Sequence, residues 1–300
     1  MPEAPPPRIQ EWTIGRLLAW TRGFFDSHGV DDARLSAEIL LAHALGCPRI
    51  QLYARFEEVP PEDKRAVFRE LVRAAGDHKP IAYLVGHKEF YSLDFLVTPD
   101  VLIPRPETEL LVERTIDACR ATDSDRHDIL DVGAGSGCIA IAVARRVKSA
   151  HVVACDLSDA ALAVAQKNVD KHGVADRVRL VHADLLDLPA GAAPDSGFDI
   201  VVSNPPYVAE ADRESLPENV RKHEPAVALF AGQDGLSMYR RIARDVRARL
   251  KPGGILLLEV GQNQADAVTT LFETDAGLSL RGRYKDLAGI DRALELTLPA

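Results

Sequence analysis

The chain has 300 residues, 46% hydrophobic and 27% charged, with a formal net charge of −9. That length suits two domains with a large core in a soluble globular protein, and no run approaches the roughly 18 apolar residues of a membrane span. The acidity argues against a clustered basic face that would grip a long nucleic acid by its phosphates.

Met1 to Arg8 is proline-rich and lacks an apolar signal core, so it reads as a disordered tail, and the expected compartment is the cytoplasm. Cys47, Cys119, Cys138 and Cys155 are scattered without a C-x-x-C pair, and no H-E-x-x-H spacing occurs. Buried structural thiols are expected, with neither a disulfide framework nor a metal site.

From Ile9 to about Gly76 apolar residues recur at helical spacing. Ile14, Leu17, Leu18 and Phe25 mark one stripe, Leu35, Ile39 and Ala42 a second, and Val67, Leu71 and Ala74 a third. Gly29, Gly46-Cys47-Pro48 and Pro60-Pro61 punctuate them, so residues 1–78 read as a small helical bundle. Nothing in it looks catalytic; a partner-docking module and a structural cap are both open.

Residues 79–105 read as a linking β-hairpin: Pro80 to Gly86 leads into Glu89-Phe90-Tyr91, then Leu93 to Val97. Pro104-Arg105-Pro106-Glu107-Thr108-Glu109 follows. Pro106 suits a first helical turn, and Glu107 and Glu109 suit its positive end. This leaves Arg105, held between two prolines, without a reason.

Residues 106–300 form the third segment, and from Ile129 onward strands and helices alternate, the pattern of a parallel sheet covered on both faces. The predicted strands are Ile129–Val132, His151–Asp156, Val178–His182, Asp199–Ser203 and Ile255–Val260, with helices near 138–147, 159–172, 236–250 and 263–274. Leu280–Tyr284 and Ala293–Leu298 are expected as an antiparallel pair at the sheet edge.

Ile129 to Val132 ends in Gly133-Ala134-Gly135-Ser136-Gly137. Glycines there let the backbone pass close to a ligand, but the dinucleotide fingerprint G-x-G-x-x-G is not met. Asp131 precedes the loop, where a carboxylate repels a pyrophosphate and attracts a cation. Asp156 ends the next strand and can accept both hydroxyls of a ribose. Asp184 ends the third, placed to accept from an adenine amino group while Leu185 covers the ring. A nucleoside with a positive group and no phosphates fits these three strand ends best, namely S-adenosyl-L-methionine.

Asn204-Pro205-Pro206-Tyr207 ends the fourth strand beside that site. A planar NH2 group is a poor nucleophile because its lone pair is delocalised. The Asn204 side-chain oxygen and the Pro205 carbonyl can each accept one of its N–H groups, aiming the nitrogen at the donor methyl. The prolines stiffen the tip, and Tyr207 can pack on a flat target.

These residues resemble class I methyltransferases acting on exocyclic or amide nitrogen. More narrowly, the chain resembles the peptide chain release factor N5-glutamine methyltransferase family, PrmC/HemK. The likeness covers the helical N-terminal domain, Ala82-Tyr83-Leu84-x-Gly86 with Glu89-Phe90, Ile103 to Glu109, the glycine loop, Asp156 and Asn204 to Tyr207, then Glu224-Pro225, Ala228-Leu229 and Gly235-Leu236. N-P-P-Y alone is shared with adenine-N6 DNA methyltransferases; Pro104 to Glu109 is the more specific marker. Val132 and Ala134 stand where Leu and Thr are commoner, and Leu185 where an aromatic is more usual.

The resemblance implies an α/β fold, a Rossmann-like class I methyltransferase sheet after the helical bundle. It implies methylation of the glutamine in the Gly-Gly-Gln loop of class I release factors, which modulates translation termination. Gly133, Ala134, Gly135, Ser136, Gly137, Asp156, Asp184, Leu185 and Asn204 are then expected to bind cofactor. Asn204, Pro205, Pro206 and Tyr207 are expected to hold the target, with Asn204, Pro205 and Tyr207 catalytic. Phe90, Arg105 and Glu107 are expected near the active site. A monomer without duplex nucleic acid or membrane partners is expected. A nucleic-acid N-methyltransferase would ask for a basic groove and a target-recognition domain. A non-catalytic adaptor that only senses cofactor would have no use for the Asn204–Tyr207 tip.

Overall fold

Consecutive strand residues point to opposite faces of a sheet, and here both faces are buried. In the computed structural model, which describes residues 11–299, Ile129, Ile200, Val202 and Leu257 enter one core while Leu130, Val201, Leu256 and Leu258 enter another. That double burial explains why these strands read as unbroken apolar runs. The tail expected over residues 1–8 falls outside the described residues.

The chain divides into two compact units between Gly86 and His87. The first holds α1 (Ile14–Ser27), α2 (Ala33–Leu45), α3 (Arg49–Ala54), α4 (Glu62–Gly76) and α5 (Ile81–Val85). Its core is built from Ile14, Phe25, Leu40, Leu41, Leu52, Phe68 and Val72. The α1 stripe is seated as expected, and so is Ala42 on α2, whereas Leu35 and Val67 are exposed; beside Ala42 the core takes Ala37, Leu40 and Leu41 on α2, and Phe68, Val72 and Ala75 on α4. Both helices carry apolar residues around much of their circumference, so helical spacing fits two overlapping faces. The faces holding Leu40–Leu41 and Phe68–Val72 remove more apolar area from water and take the inside.

The second unit opens with the hairpin β1 (His87–Phe90) and β2 (Leu93–Leu96), paired antiparallel. A 3-10 turn over Pro106–Thr108 leads into α6 (Glu109–Arg120). Then come β3 (His127–Val132), α7 (Cys138–Arg146), β4 (Ala150–Asp156), α8 (Asp159–His172), β5 (Val178–His182), β6 (Phe198–Ser203), α9 (Glu218–His223), α10 (Ser237–Val246), β7 (Leu250–Glu259), α11 (Ala265–Asp275), β8 (Ser279–Lys285) and β9 (Asp291–Thr297). The sheet runs β5-β4-β3-β6-β7-β9-β8. Its first five strands are parallel, and β9 pairs antiparallel with both β7 and β8. α6 and α7 supply Leu111, Ile116, Ile139 and Val143 to one core, and α10 and α11 supply Tyr239, Ile242, Val268 and Phe272 to the other. This is a Rossmann-like sheet preceded by a helical unit, as the alternation predicts.

Most boundaries shift by a residue or two, and three shift further: the helical unit runs on through α5 to Gly86 rather than ending at 78, α10 ends at Val246 rather than 250, and β7 starts early. Strand β7 begins at Leu250 rather than 255, because Leu250 pairs with Phe198 and a register shift between Phe198 and Ile200 absorbs the Pro252-Gly253-Gly254 interruption. Among the described residues no helix is long and apolar enough to cross a membrane.

The chain leaves β3 toward β4 and β5 on one side and returns to β6 and β7 on the other. β3 and β6 are adjacent, with Val132 opposite Ser203 in register. Gly133 and Asn204, the residues that follow, emerge side by side at the switch point where ligands of open α/β sheets bind.

Candidate active site

The loop after β3 is shaped by its amides. Gly133 N and Ala134 N both donate to the Cys155 carbonyl at 2.9 Å, and Gly135 N donates to Asp156 Oδ2 at 2.8 Å. Gly133, Gly135 and Gly137 have φ of +77°, +54° and +79°, a region that side chains disfavour. Ser158 N donates to Asp156 Oδ1 at 2.9 Å, so both carboxylate oxygens are oriented by backbone while retaining lone pairs for a ligand.

Gly133, Gly135, Asp156, Asp184, Leu185, Asn204 and Pro206 line one cavity of about 220 Å³, with Leu157, Val227, Phe230 and Met238 among its apolar walls. Ala134 and Ser136 are buried, and Gly137 precedes the first turn of α7. A larger cavity, about 630 Å³, lies at the opposite ends of the strands beside Arg126, Arg177 and Arg179. Those cations are already held, by Asp128 and by the Ala144 and Ala192 carbonyls, so the smaller cavity is the better candidate.

A buried carboxylate stands two residues before the glycine loop. Asp131 is fully buried; its Oδ2 accepts from Ala140 N at 3.1 Å, while its Oδ1 has no partner. Burial, with added repulsion from Asp156, pushes the Asp131 carboxyl up to about 7. An orphaned buried acceptor costs about 1–3 kcal/mol, a cost that a positive group nearby would offset.

The third strand end differs in detail from the expectation. Asp184 Oδ2 is bound by Arg241 at 2.8 Å, so one oxygen is already committed. Leu185 sits at φ +53°, a conformation that costs a branched residue about 1–2 kcal/mol. Its carbonyl accepts from the Cys155 thiol at 3.3 Å, which helps to hold it on the cavity wall. Leu157 was not singled out from the sequence, although it follows Asp156 directly and remains 51% exposed.

At the end of β6, Ser203 Oγ donates to the Val132 carbonyl at 2.7 Å and ties the tip to β3. Asn204 and Pro206 face the cavity, and Pro205 is buried. Tyr207 is not on the cavity wall: its hydroxyl donates to Glu259 Oε1 at 3.4 Å, and its carbonyl accepts from Gln264 Nε2 at 2.9 Å. Gly235 allows this packing, since a Cβ at its φ of +72° would lie 2.4 Å from the Tyr207 carbonyl oxygen.

Asn204 Nδ2 donates to Thr108 Oγ1 at 3.0 Å, and Thr108 Oγ1 donates to Glu259 Oε2 at 2.6 Å. Burial pushes the Glu259 carboxyl up to about 7, with Glu107 adding to it, while the bond from Thr108 opposes the shift. Glu107 therefore lies within electrostatic reach of the tip. Arg105 instead reaches Glu224 Oε1 at 2.5 Å, and Phe90 is buried against Phe95 in the core, off the cavity wall. Thr108 and Glu259 escaped the sequence reading. Glu259 left a signal, a carboxylate closing the run Ile255-Leu256-Leu257-Leu258 where a charge is rarely buried unpaired.

Residues 16–86 match the PrmC N-terminal domain model, and residues 129–224 match a methyltransferase domain. The hMettl16 catalytic domain in complex with MAT2A 3'UTR hairpin 6 has a similar structure, with TM-score 0.56 at 17% identity over 70% of this chain and 77% of that one. That likeness supports the class I methyltransferase fold alone. The release factor glutamine methyltransferase of Rhodopirellula baltica is 45% identical over 287 residues, 95% of this chain and 96% of the relative. That of Geobacter sulfurreducens is 42% identical over 283 residues, 94% of this chain and 96% of the relative. Identity at this level extends through the helical unit as well as the sheet, and the chain belongs to the release factor glutamine methyltransferase family.

Proposed function

We propose that this chain methylates the side-chain amide nitrogen (N5) of the glutamine in the Gly-Gly-Gln loop of class I peptide chain release factors, using S-adenosyl-L-methionine, and so modulates translation termination. It would act as a cytoplasmic monomer. The observation that carries the reading is the Asn204 amide, whose NH2 is turned to Thr108 so that its oxygen is left for a target N–H.

The cofactor fits the residues present. Asp156 and Asp184 line the cavity, Asp184 partly neutralised by Arg241, and the buried Asp131 two residues before the glycine loop keeps one oxygen without a partner, a set of acceptors that suits a sulfonium. Asp156 would accept from the ribose hydroxyls, the free oxygen of Asp184 from the adenine amino group, and Leu185 would cover the ring. The Gly133–Gly137 backbone would let the ligand lie close. When bound, S-adenosylmethionine supplies a methyl group activated by its positive sulfur.

The rest falls to the tip. Asn204 Oδ1 and the Pro205 carbonyl would each accept one N–H of the glutamine amide, holding the nitrogen in line with the methyl. Both acceptors also favour the positive charge that develops on that nitrogen as it gains the methyl, before it loses a proton to water. Pro205 and Pro206 keep the carbonyls rigid, and Tyr207 braces them through Glu259 and Gln264.

A single-turnover reaction with purified release factor, read by mass spectrometry of the Gly-Gly-Gln peptide, tests the proposal. One added methyl on the glutamine is expected. Methyl found on adenine in duplex DNA, with an unmodified glutamine, would overturn it.

A further inference from the structure

An asparagine amide has nearly the same shape after a half-turn about its terminal torsion, but the turn exchanges acceptor for donor. The proposed chemistry tolerates only one of the two orientations. With the oxygen toward the target, Asn204 accepts an N–H; with the NH2 there, two donors face each other.

We propose that Thr108 and Glu259 are positioning residues that lock Asn204 with its oxygen toward the target amide. The inference rests on the methyl-transfer reading above. A threonine hydroxyl has one proton and two acceptor lone pairs. Thr108 spends its proton on Glu259 Oε2 at 2.6 Å, so only lone pairs remain for Asn204, and only an NH2 can use them, here at 3.0 Å. Glu259 is 1% exposed and Thr108 3% exposed, so bulk water does not compete for these bonds. Tyr207 holds the second Glu259 oxygen, which leaves the carboxylate turned toward Thr108. This also accounts for the proline-bounded run before α6: it carries a hydroxyl from Thr108 to the ends of β6 and β7.

The test uses the full chain with purified release factor at pH 8, comparing Thr108→Val, Thr108→Ser and the double change Thr108→Val/Glu259→Gln. Valine keeps the shape and removes the hydroxyl, serine restores it, and the double change removes the buried carboxylate that valine alone would strand, so that a folded protein is available. In Thr108→Val and in the double variant kcat is expected to fall at least about tenfold, since an amide free to turn loses its orientation. KM for the release factor and Kd for S-adenosylmethionine by calorimetry should change less than about threefold, and Thr108→Ser should restore kcat to within about threefold.

A merely structural role would move stability and both binding constants together and would not divide kcat from KM. A double variant that folds and keeps wild-type kcat overturns the proposal, as does a serine variant as slow as the valine one. Failure of the wild-type chain to methylate the glutamine would instead overturn the functional reading.

Discussion

Arg105 and Glu224 stand 119 positions apart, yet the guanidinium meets the carboxylate at 2.5 Å. The Glu224 side chain is 1% exposed, the Arg105 side chain 30%, and the second carboxylate oxygen accepts from Ile103 N at 3.2 Å. One buried carboxylate thus fastens the segment before α6 to the segment after α9, whose Pro225 and Val227 wall the cavity. The arginine between two prolines has its reason here: the prolines stiffen the backbone and the ion pair fixes where it lies.

Removing one partner strands the other in a dry place. Arg105→Ala is expected to lower the free energy of unfolding by about 2–4 kcal/mol, the cost of a broken buried pair reduced for the arginine's partial exposure. Urea unfolding of both proteins at one pH measures it. A loss under about 0.5 kcal/mol would mean that Glu224 finds another partner.

Asn204→Ala removes the proposed acceptor and trims one cavity-lining side chain, while Asp156, Asp184 and the glycine loop stay in place. Methyl transfer is expected to disappear in a tritiated-methyl assay, while cofactor Kd stays within about tenfold, ~1.4 kcal/mol. An active Asn204→Ala protein is incompatible with the proposed mechanism.

Asp156→Ala should do the reverse in order of severity. It removes a charged acceptor for the ribose and releases Gly135 N and Ser158 N. Cofactor affinity is expected to weaken by about 30- to 100-fold, roughly 2–3 kcal/mol for hydrogen bonds to a charged group. Calorimetry of the two proteins would show it, and an unchanged Kd would remove Asp156 from the cofactor site.

The two buried acids predict a pH dependence of stability. Burial pushes the Asp131 and Glu259 carboxyls up to about 7 from ordinary values of 3.8 and 4.5. Between the unfolded and folded values the folded chain holds protons that the unfolded chain has released, so stability falls as pH rises. Their contribution is full below about pH 4 and is lost as pH passes through about 7. The urea midpoint of Glu259→Gln should therefore drop less between pH 6 and pH 8 than that of the unmodified chain, other groups being common to both. Equal slopes would mean that Glu259 is ionised throughout that range.

Much of the fold is legible in the residues because its signals are local. Buried parallel strands are continuous apolar runs, and Gly133, Asp156, Asp184 and Asn204 follow them where the alternation says that loops must gather. The hairpin is legible from its strands, as expected, but not from its turn residues. Tyr91 and Ser92 have φ of +50° and +59°, values usually met by Asn-Gly; a bond from Tyr91 N to Glu109 Oε1 at 2.8 Å helps to hold them.

The succession of strands and helices along the chain, the acidic strand ends, the glycine loop and the N-P-P-Y tip follow from residue types and spacing alone, since burial and backbone freedom act over a few neighbouring residues. The faces of α2 and α4, the strained Leu185, the Arg105–Glu224 pair and the chain from Asn204 through Thr108 to Glu259 do not. Thr108 and Glu259 lie 151 positions apart, and only the packing of the Pro106–Thr108 turn near the end of β7 brings a hydroxyl and a carboxylate within hydrogen-bond reach. Residue types announce what a side chain can donate or accept; its partner is set by what the folded chain carries to within 3 Å of it.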